Sequence, residues 1–179
     1  MTDEFYGPTF EDAEESVVFP MGAYVIVVDD WSFKKTKQAD EEGNIRYAIT
    51  PKLKILAAPD DKYLQQAIQP WWPFQGWNCF VIPRACKQAG LDEIDRYYNV
   101  KHPDYAGKDE RPCLKGSEEE NYAKVAAHYM TGEMTDDNGR EFKCPDGGLL
   151  GQKLRIEIGK PNTKDPANPK TGNVTPSKT

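Results

Sequence analysis

A long apolar segment, Gly22–Lys35, constrains the fold of this chain more than any other feature. It is rich in Val, Tyr, Trp and Phe, whose side chains favour extended backbone. Towards its end the residues alternate, with Trp31 and Phe33 on one side and Asp30 and Ser32 on the other. The segment therefore predicts a long β-strand whose two faces differ in chemistry.

Ile45–Leu56 predicts the partner of that strand. Its apolar residues fall mainly on one parity and its basic residues on the other, which is the period of a half-buried strand. Pro51 lacks a backbone donor, so we expect the strand to bend, bulge or lie at an edge there. With turn residues at Gly43 and Asn44, the two segments predict a long antiparallel hairpin with a charged loop.

Shorter patterns complete a mainly β prediction. A helix is expected at Pro83–Gly90, a hairpin turn at Asp137–Gly139 and a last half-buried strand at Leu149–Ile158. Asn99–Gly116 is polar and interrupted by Pro and Gly, which predicts a loop.

The clearest helical signal starts at Ser117, which forms a capping box with Glu120. The apolar residues that follow share one helical stripe: Tyr122, Val125, Ala126, Tyr129 and Met130. A helix at 118–130 is predicted, with His128 on its opposite, solvent-exposed face. His102 is expected in a loop, and neither histidine lies in a catalytic signature.

Charge is unevenly distributed along the chain. The net charge is −6, and six of the 29 acidic residues lie in Met1–Ser16, which holds no basic residue. That composition predicts a flexible acidic arm. Residues 17–159 are expected to form one domain in which 99–143 is an insertion that carries the helix, and 160–179 a basic, proline-rich tail or trailing hairpin.

No membrane-spanning or secretory segment is expected, because the apolar runs are short and the first residues are acidic. The expected compartment is the cytoplasm, where thiols stay reduced. The cysteines are Cys79, Cys86, Cys113 and Cys144, and their wide spacings contain no two-residue zinc knuckle. We expect no metal site and no cofactor, and keep a zinc protein as an alternative.

The sequence also lacks enzymatic signatures. It contains no phosphate-binding glycine loop, dinucleotide fingerprint, nucleophile elbow or zinc-protease helix. Neighbouring carboxylates such as Asp29 and Asp30 point apart on a strand, and Glu118–Glu120 suits a helix N-terminus. The prediction is a protein that is not an enzyme, with a metal-dependent nuclease as the remaining enzymatic alternative.

Aromatic and basic residues are concentrated in Phe33–Lys54, within an otherwise acidic chain. A surface that combines aromatic and basic side chains suits single-stranded nucleic acid, because bases stack on aromatic rings and phosphates attract cations. The predicted nucleic-acid-binding residues are Trp31, Phe33, Lys34, Lys35, Lys37, Arg46, Lys52, Lys54, Trp77, Lys153 and Arg155. The alternative is a core position for the two strand aromatics and a merely solvated surface for the lysines.

Gly22–Val28, Phe33–Lys37 and Ile45–Leu56 follow one another early in the chain, and Leu149–Ile158 and Asn168–Gly172 close it. This order resembles that of small phage-encoded single-stranded-DNA-binding proteins with an OB-fold. The first three segments are similar to the opening of their barrel. The last two are similar to their final barrel strand and trailing hairpin.

The resemblance implies an OB-fold-like, five-stranded, partly open barrel with one or two small helices and a helical insertion. It implies sequence-nonspecific sequestering of exposed single-stranded DNA in phage replication or recombination, in the host cytoplasm. The binding positions that it implies are Trp31, Phe33, Lys35, Lys37, Arg46 and Lys54. Replication or recombination proteins are the expected partners of the acidic arm, no membrane contact is expected, and a homo-oligomer is left open.

A protein-interaction module is the alternative function of a different class. Trp71–Trp77 would supply its apolar hot spot, and acidic residues its charged rim. Such a module would be a virion component or a host-directed inhibitor.

Overall fold

The computed structural model describes residues 17–98, 103 and 111–178. The predicted acidic arm, His102 and most of the predicted Asn99–Gly116 loop lie outside the described residues. In chain order the elements are β1 (Gly22–Lys35), β2 (Tyr47–Ala57), a 3-10 turn (Asp61–Tyr63), β3 (Ala67–Ile68), β4 (Trp72–Pro73), α1 (Val81–Ala89), α2 (Asp92–Tyr98), α3 (Glu118–Thr131), β5 (Glu133–Thr135), β6 (Glu141–Lys143), β7 (Lys153–Ile158) and β8 (Val174–Pro176).

An antiparallel six-stranded sheet organises the described residues, with the order β3-β2-β1-β7-β8 and β4 also paired to β2. The mainly β prediction is confirmed, as is the long β1–β2 hairpin. The first part of β1, Gly22–Val27, pairs with β7 as well. The predicted last strand is shorter than expected, because residues 149–152 form a turn before β7.

The outer edge of β2 is interrupted near Pro51. β3 pairs with Leu53 and Lys54, and β4 pairs with Ala48 and Ile49, so neither short strand pairs with the residues around the proline. This agrees with the missing backbone donor of proline, which weakens a ladder where it lies.

The two edges of the sheet approach each other on one side of the molecule. The indole N–H of Trp72, on β4, donates to the carbonyl of Val174, on β8, at 3.2 Å. Trp72 is fully buried at this contact. Within the described residues no backbone ladder joins β3 or β4 to β8, so the sheet is curled but stays open along this seam.

The core lies on the inner face of the curled sheet. The large strand residues that are fully buried there are Trp72, Tyr24, Ile26, Ile49, Leu53, Ile55, Leu154 and Ile156. Each such side chain stabilises the fold by roughly 1.5–3 kcal/mol through apolar burial. The helix α1 adds Ile82, Ala85 and Cys86 to this core and ends at Gly90, whose φ of 73° is left-handed. The predicted helix at Pro83–Gly90 is confirmed and begins two residues earlier.

The helix α3 confirms the predicted capping box. Ser117 has extended backbone, and its hydroxyl accepts the backbone N–H of Glu120 at 3.2 Å. Three glutamates lie in the first turn, where their negative charges interact favourably with the positive end of the helix dipole.

Replacing Ser117 with Ala should lower the free energy of unfolding by about 1 kcal/mol, because the N–H of Glu120 loses its acceptor. Urea denaturation measures this difference. Ser117→Asp keeps an acceptor at the cap and serves as the matched control, with stability close to that of wild type. An equal loss in both variants would show that the cap bond does not stabilise the helix.

The prediction that His128 is exposed to solvent is wrong, because its side chain is fully buried. The face of α3 that bears it is covered by α2, a helix that the sequence analysis missed, and by β6. The imidazole centroid lies 5.6 Å from the ring of Tyr97, 5.5 Å from Tyr98 and 5.9 Å from Phe142.

All four cysteines are free thiols. Within the described ranges, every helix is too short or too polar to cross a membrane.

Candidate nucleic-acid interface

Five basic residues share one face of the sheet, which points away from the core and which we call the outer face. They are Lys34 on β1, Lys52 and Lys54 on β2, and Lys153 and Arg155 on β7. Lys54 and Lys153 both pair with Val27, so they flank one β1 residue with their backbones about 10 Å apart. Asp30 and Glu157 lie on the same face, which leaves an excess of positive charge there.

Ion pairs divide the predicted cations into two groups. Lys35 Nζ lies 3.1 Å from the carboxylate of Glu119, and the guanidinium of Arg46 lies 3.1 Å from that of Asp40. The five outer-face cations make no ion pair with any residue that the structure describes. The outer-face cations, together with Lys37 in the β1–β2 loop, are therefore the predicted cations available to an anionic ligand.

A bulge in β1 decides where the predicted aromatic rings lie. Val28 and Asp30 pair with successive residues of β2, so Asp29 is an extra residue in β1. The extra residue reverses the alternation of the strand. Trp31 and Phe33 are consequently half-buried and pack against the core, on the face opposite the unpaired cations.

The aromatic residues at this end of the hairpin pack against the helix α3. Phe33 stacks on Tyr47 with ring centroids 5.8 Å apart, and Tyr47 stacks on Tyr122 of α3 at 5.1 Å. Phe74 lies 5.3 Å from the same Tyr122 ring. Burial raises the pKa of the Tyr122 hydroxyl. Phe33 thus supports the ring of Tyr47, which contacts the helix α3 directly.

A groove of about 1100 Å³ runs along the open seam of the sheet. We call it the edge groove and define it by Lys52, Gln69, Trp71, Asn78, Thr171 and Asn173. Because Lys52 also belongs to the outer face, the groove is continuous with the cations of β2. Its lining offers an ammonium group, an indole ring, amides and a hydroxyl, which suit phosphates, flat rings and the polar edges of bases. The carboxylate of Asp30 also lines the groove, and Asp30 pairs with Lys52 across the β1–β2 ladder, so it offsets part of the lysine's charge.

Trp71 is the exposed aromatic residue of the edge groove. The sequence analysis named it only within the Trp71–Trp77 hot spot and not among the nucleic-acid-binding residues. Its neighbour Trp72 pairs with Ile49 and points into the core, so Trp71 points outward and is 42% exposed. The alternation of a strand could have separated the two tryptophans if β4 had been recognised. Trp77, which was predicted, is 78% exposed but does not line the groove. Lys37 is exposed in the β1–β2 loop.

A buried cluster of Tyr98, His128 and Cys144 has the order of an orienting group, a base and a nucleophile. The Tyr98 hydroxyl lies 2.8 Å from His128 Nδ1, and Cys144 Sγ lies 3.7 Å from Nε2. Burial lowers the pKa of His128 to about 4 and raises the pKa of Cys144 to about 11. Both groups are therefore neutral near pH 7, and the pair does not supply the thiolate that a cysteine nucleophile needs.

Metal ligation has no support in the part of the chain that the structure describes. No group of three or more His, Cys, Asp or Glu side chains is arranged there to hold an ion. Asp136 instead accepts backbone N–H groups from Cys113, Asn138 and Arg140, and these bonds lower the pKa of its carboxyl.

We compared the chain with protein-family models, with curated proteins and with solved structures, and found no match in any of the three comparisons.

Proposed function

We propose that this chain binds single-stranded DNA without preference for sequence, through the edge groove and the outer face, and performs no chemistry on it. The observation that carries the proposal is the continuity of unpaired cations with an exposed indole. Lys52 and Trp71 both line the groove, Lys52 and Lys54 share the outer face of β2, and Lys153 lies on β7, across β1 from Lys54. Sequestering exposed strands during replication or recombination, in a phage setting, is the biological role that this binding would serve.

The curled sheet supports a finer proposal about the fold, namely a partly open OB-like barrel. In that arrangement β3 and β4 together form one interrupted strand, and β8 is the strand that faces it across the seam. The Trp72–Val174 hydrogen bond and the helix α1, which packs against β4, β7 and β8, support it. OB-folds bind oligonucleotides on the exposed face of their sheet and in the loops beside it.

Replacing Trp71 with Ala should weaken binding to a fluorescein-labelled oligothymidine by roughly tenfold, because stacking of one base on an aromatic ring contributes about 1–3 kcal/mol. Fluorescence anisotropy gives the Kd. Trp71→Phe keeps a ring and should remain within a few-fold of wild type. If oligothymidine does not bind the wild-type protein, or binds Trp71→Ala equally well, the proposed site is wrong.

A protein-interaction module remains the second candidate, because two large aromatic side chains lie exposed outside the edge groove. Trp77 is 78% exposed, and Phe80 is 43% exposed with the guanidinium of Arg84 stacked 4.4 Å from its centroid. Exposed aromatic and arginine side chains are typical of interface hot spots. A protein partner whose binding is lost in Trp77→Ala, in a protein that does not bind oligothymidine, would favour this function.

A further inference from the structure

We propose that two copies of this chain associate through the second half of β1, Trp31–Lys35, which pairs antiparallel with the same segment of the other copy across a two-fold axis at Ser32. The interaction surface is a free edge of the sheet, and its occupant is a second copy of the chain. The inference stands independently of the proposed function, because the pairing needs no nucleic acid.

The second half of β1 has a neighbouring strand on only one side. β7 pairs with Gly22–Val27, and the backbone bonds on that side of β1 end at Val28. The chain before β7 leaves the sheet there, and the N–H of Leu150 donates to the carbonyl of Met130 on α3. Among the described residues, Trp31–Lys35 therefore pairs with β2 alone and forms a sheet edge.

This free edge presents the backbone groups of alternate residues. The N–H of Thr36 donates to the carbonyl of Arg46 at 2.9 Å, next to the loop of the hairpin. Because the bonds of an antiparallel ladder alternate, Lys35, Phe33 and Trp31 direct their N–H and C=O groups away from β2. The N–H of Trp31 accordingly bonds to a carboxylate oxygen of the preceding residue, at 2.8 Å, rather than to a strand. Such a row of backbone groups is a template for another strand.

The order of side chains along the free edge is self-complementary. In a two-fold pairing at Ser32, Asp30 of each copy lies opposite Lys34 of the other, on the outer face. Neither side chain belongs to an ion pair within the described residues. On the inner face Trp31 lies opposite Phe33, and both rings are half-buried in a single copy. The pairing therefore gains two ion pairs and two aromatic contacts.

A shift of the axis would lose this match. With the axis at Phe33, Trp31 would lie opposite Lys35 and Asp30 opposite Thr36, so no opposite charges would meet. Lysines that protect an edge from aggregation work by charge of one sign, whereas this edge carries opposite charges on the two sides of Ser32. The side chains therefore specify the register at Ser32.

An exposed apolar side chain lies at the end of the free edge. Leu150 is 42% exposed, and the N–H of the next residue, Gly151, donates to the carbonyl of Val28. In the paired arrangement Thr36 of the second copy comes level with Val28 and so lies beside Leu150. The paired segment is short, so we expect a dimer with a Kd on the order of micromolar rather than an obligate dimer.

Charge reversal tests the pairing in solution. Sedimentation equilibrium of the full-length wild type should show monomer and dimer, and Lys34→Glu should raise the dimer Kd roughly tenfold, because like charges then face each other twice. Combining Lys34→Glu with Asp30→Lys in one chain, or mixing the two single variants, should restore association, since opposite charges meet again. Lys87→Glu makes the same change of charge at an exposed position on α1 and should associate like the wild type.

Disulfide trapping tests the position of the axis. The two thiols that are not buried, Cys79 and Cys113, are first replaced with Ser. Ser32→Cys then places two thiols opposite each other where the Cα atoms lie about 4.5 Å apart, within disulfide reach. Mild oxidation should link this variant into a dimer on a non-reducing gel. Lys34→Cys should stay unlinked, because its two thiols lie roughly 13 Å apart along the strands.

The outcomes separate this dimer from other kinds of association. A wild type that stays monomeric up to about 200 μM would overturn the proposal. Equal association of Lys34→Glu and Lys87→Glu, or equal linking of the two cysteine variants, would also overturn it. Association that is lost in Trp77→Ala but kept in Lys34→Glu would place the interface at that exposed indole and refute the pairing of β1.

Discussion

Replacing Lys52, Lys54, Lys153 and Arg155 together with Gln should weaken binding to oligothymidine by roughly two to three orders of magnitude near 0.1 M salt. Each cation that contacts a phosphate releases about 0.7 of a counterion from a single strand, so four lost contacts reduce the salt dependence in proportion. A plot of log Kd against log salt concentration should become shallower by about three units of slope. Circular dichroism and thermal unfolding of the variant would verify that the exposed substitutions leave the fold intact.

The ion-paired cations provide the matched control for this variant. Lys35→Gln with Arg46→Gln removes two charges that Glu119 and Asp40 already neutralise. We expect this double variant to bind within about threefold of wild type, because partly exposed ion pairs contribute little and leave little net charge to an incoming phosphate. If this pair proved essential and the four substituted outer-face cations dispensable, the interface would lie on the α3 side of the hairpin.

Acidification should destabilise the protein by about 3 kcal/mol between pH 6.5 and pH 4 through His128 alone. Burial lowers the pKa of His128 to about 4 in the folded protein, against an ordinary 6.5. Above pH 6.5 the imidazole is neutral in both states, so its contribution to stability is complete. As the pH falls below 6.5 the unfolded state takes up the proton first, and the free energy of unfolding falls until the folded state also protonates near pH 4.

Urea denaturation at several pH values measures this loss, and the variant His128→Gln removes the titration. The absolute stability of that variant does not matter, because the test compares how steeply stability falls with pH in the two proteins. NMR offers a second measurement on the wild type, which has only two histidines. An imidazole of His128 that titrates near pH 6.5 in the folded protein would contradict the prediction.

The sequence predicted the elements that are determined by residues close together along the chain. The β1–β2 hairpin follows from alternation and the helix α3 from the Ser117 cap, and both need no knowledge of the rest of the molecule. The helix α2 was not predicted, because Asp92–Tyr98 is short and mostly polar and its tyrosines find their apolar surroundings only on α3. That missing helix also explains the wrong expectation for His128.

The candidate site was predicted only in part, because some of its residues are placed by local alternation and others by contacts between strands. The cations of β2 and β7 were identified, since basic residues on alternate positions of a half-buried strand face solvent. The side on which Trp31 and Phe33 lie could not be predicted, because the bulge at Asp29 depends on pairing between strands rather than on local sequence. Trp71 was not predicted as a nucleic-acid-binding residue, because the adjoining strand β4 contains only two residues and has no sequence period.

The hydrogen bond from Trp72 to Val174 means that a side chain, rather than a backbone ladder, fastens the two margins of the sheet. A ladder would fix their spacing at the distance between hydrogen-bonded strands, whereas the fully buried indole of Trp72 holds the margins apart by the length of a side chain. The channel beside Trp71 therefore stays open along the described strands. Such a channel would accommodate purines and pyrimidines alike, which is the tolerance that a protein coating strands of arbitrary composition requires.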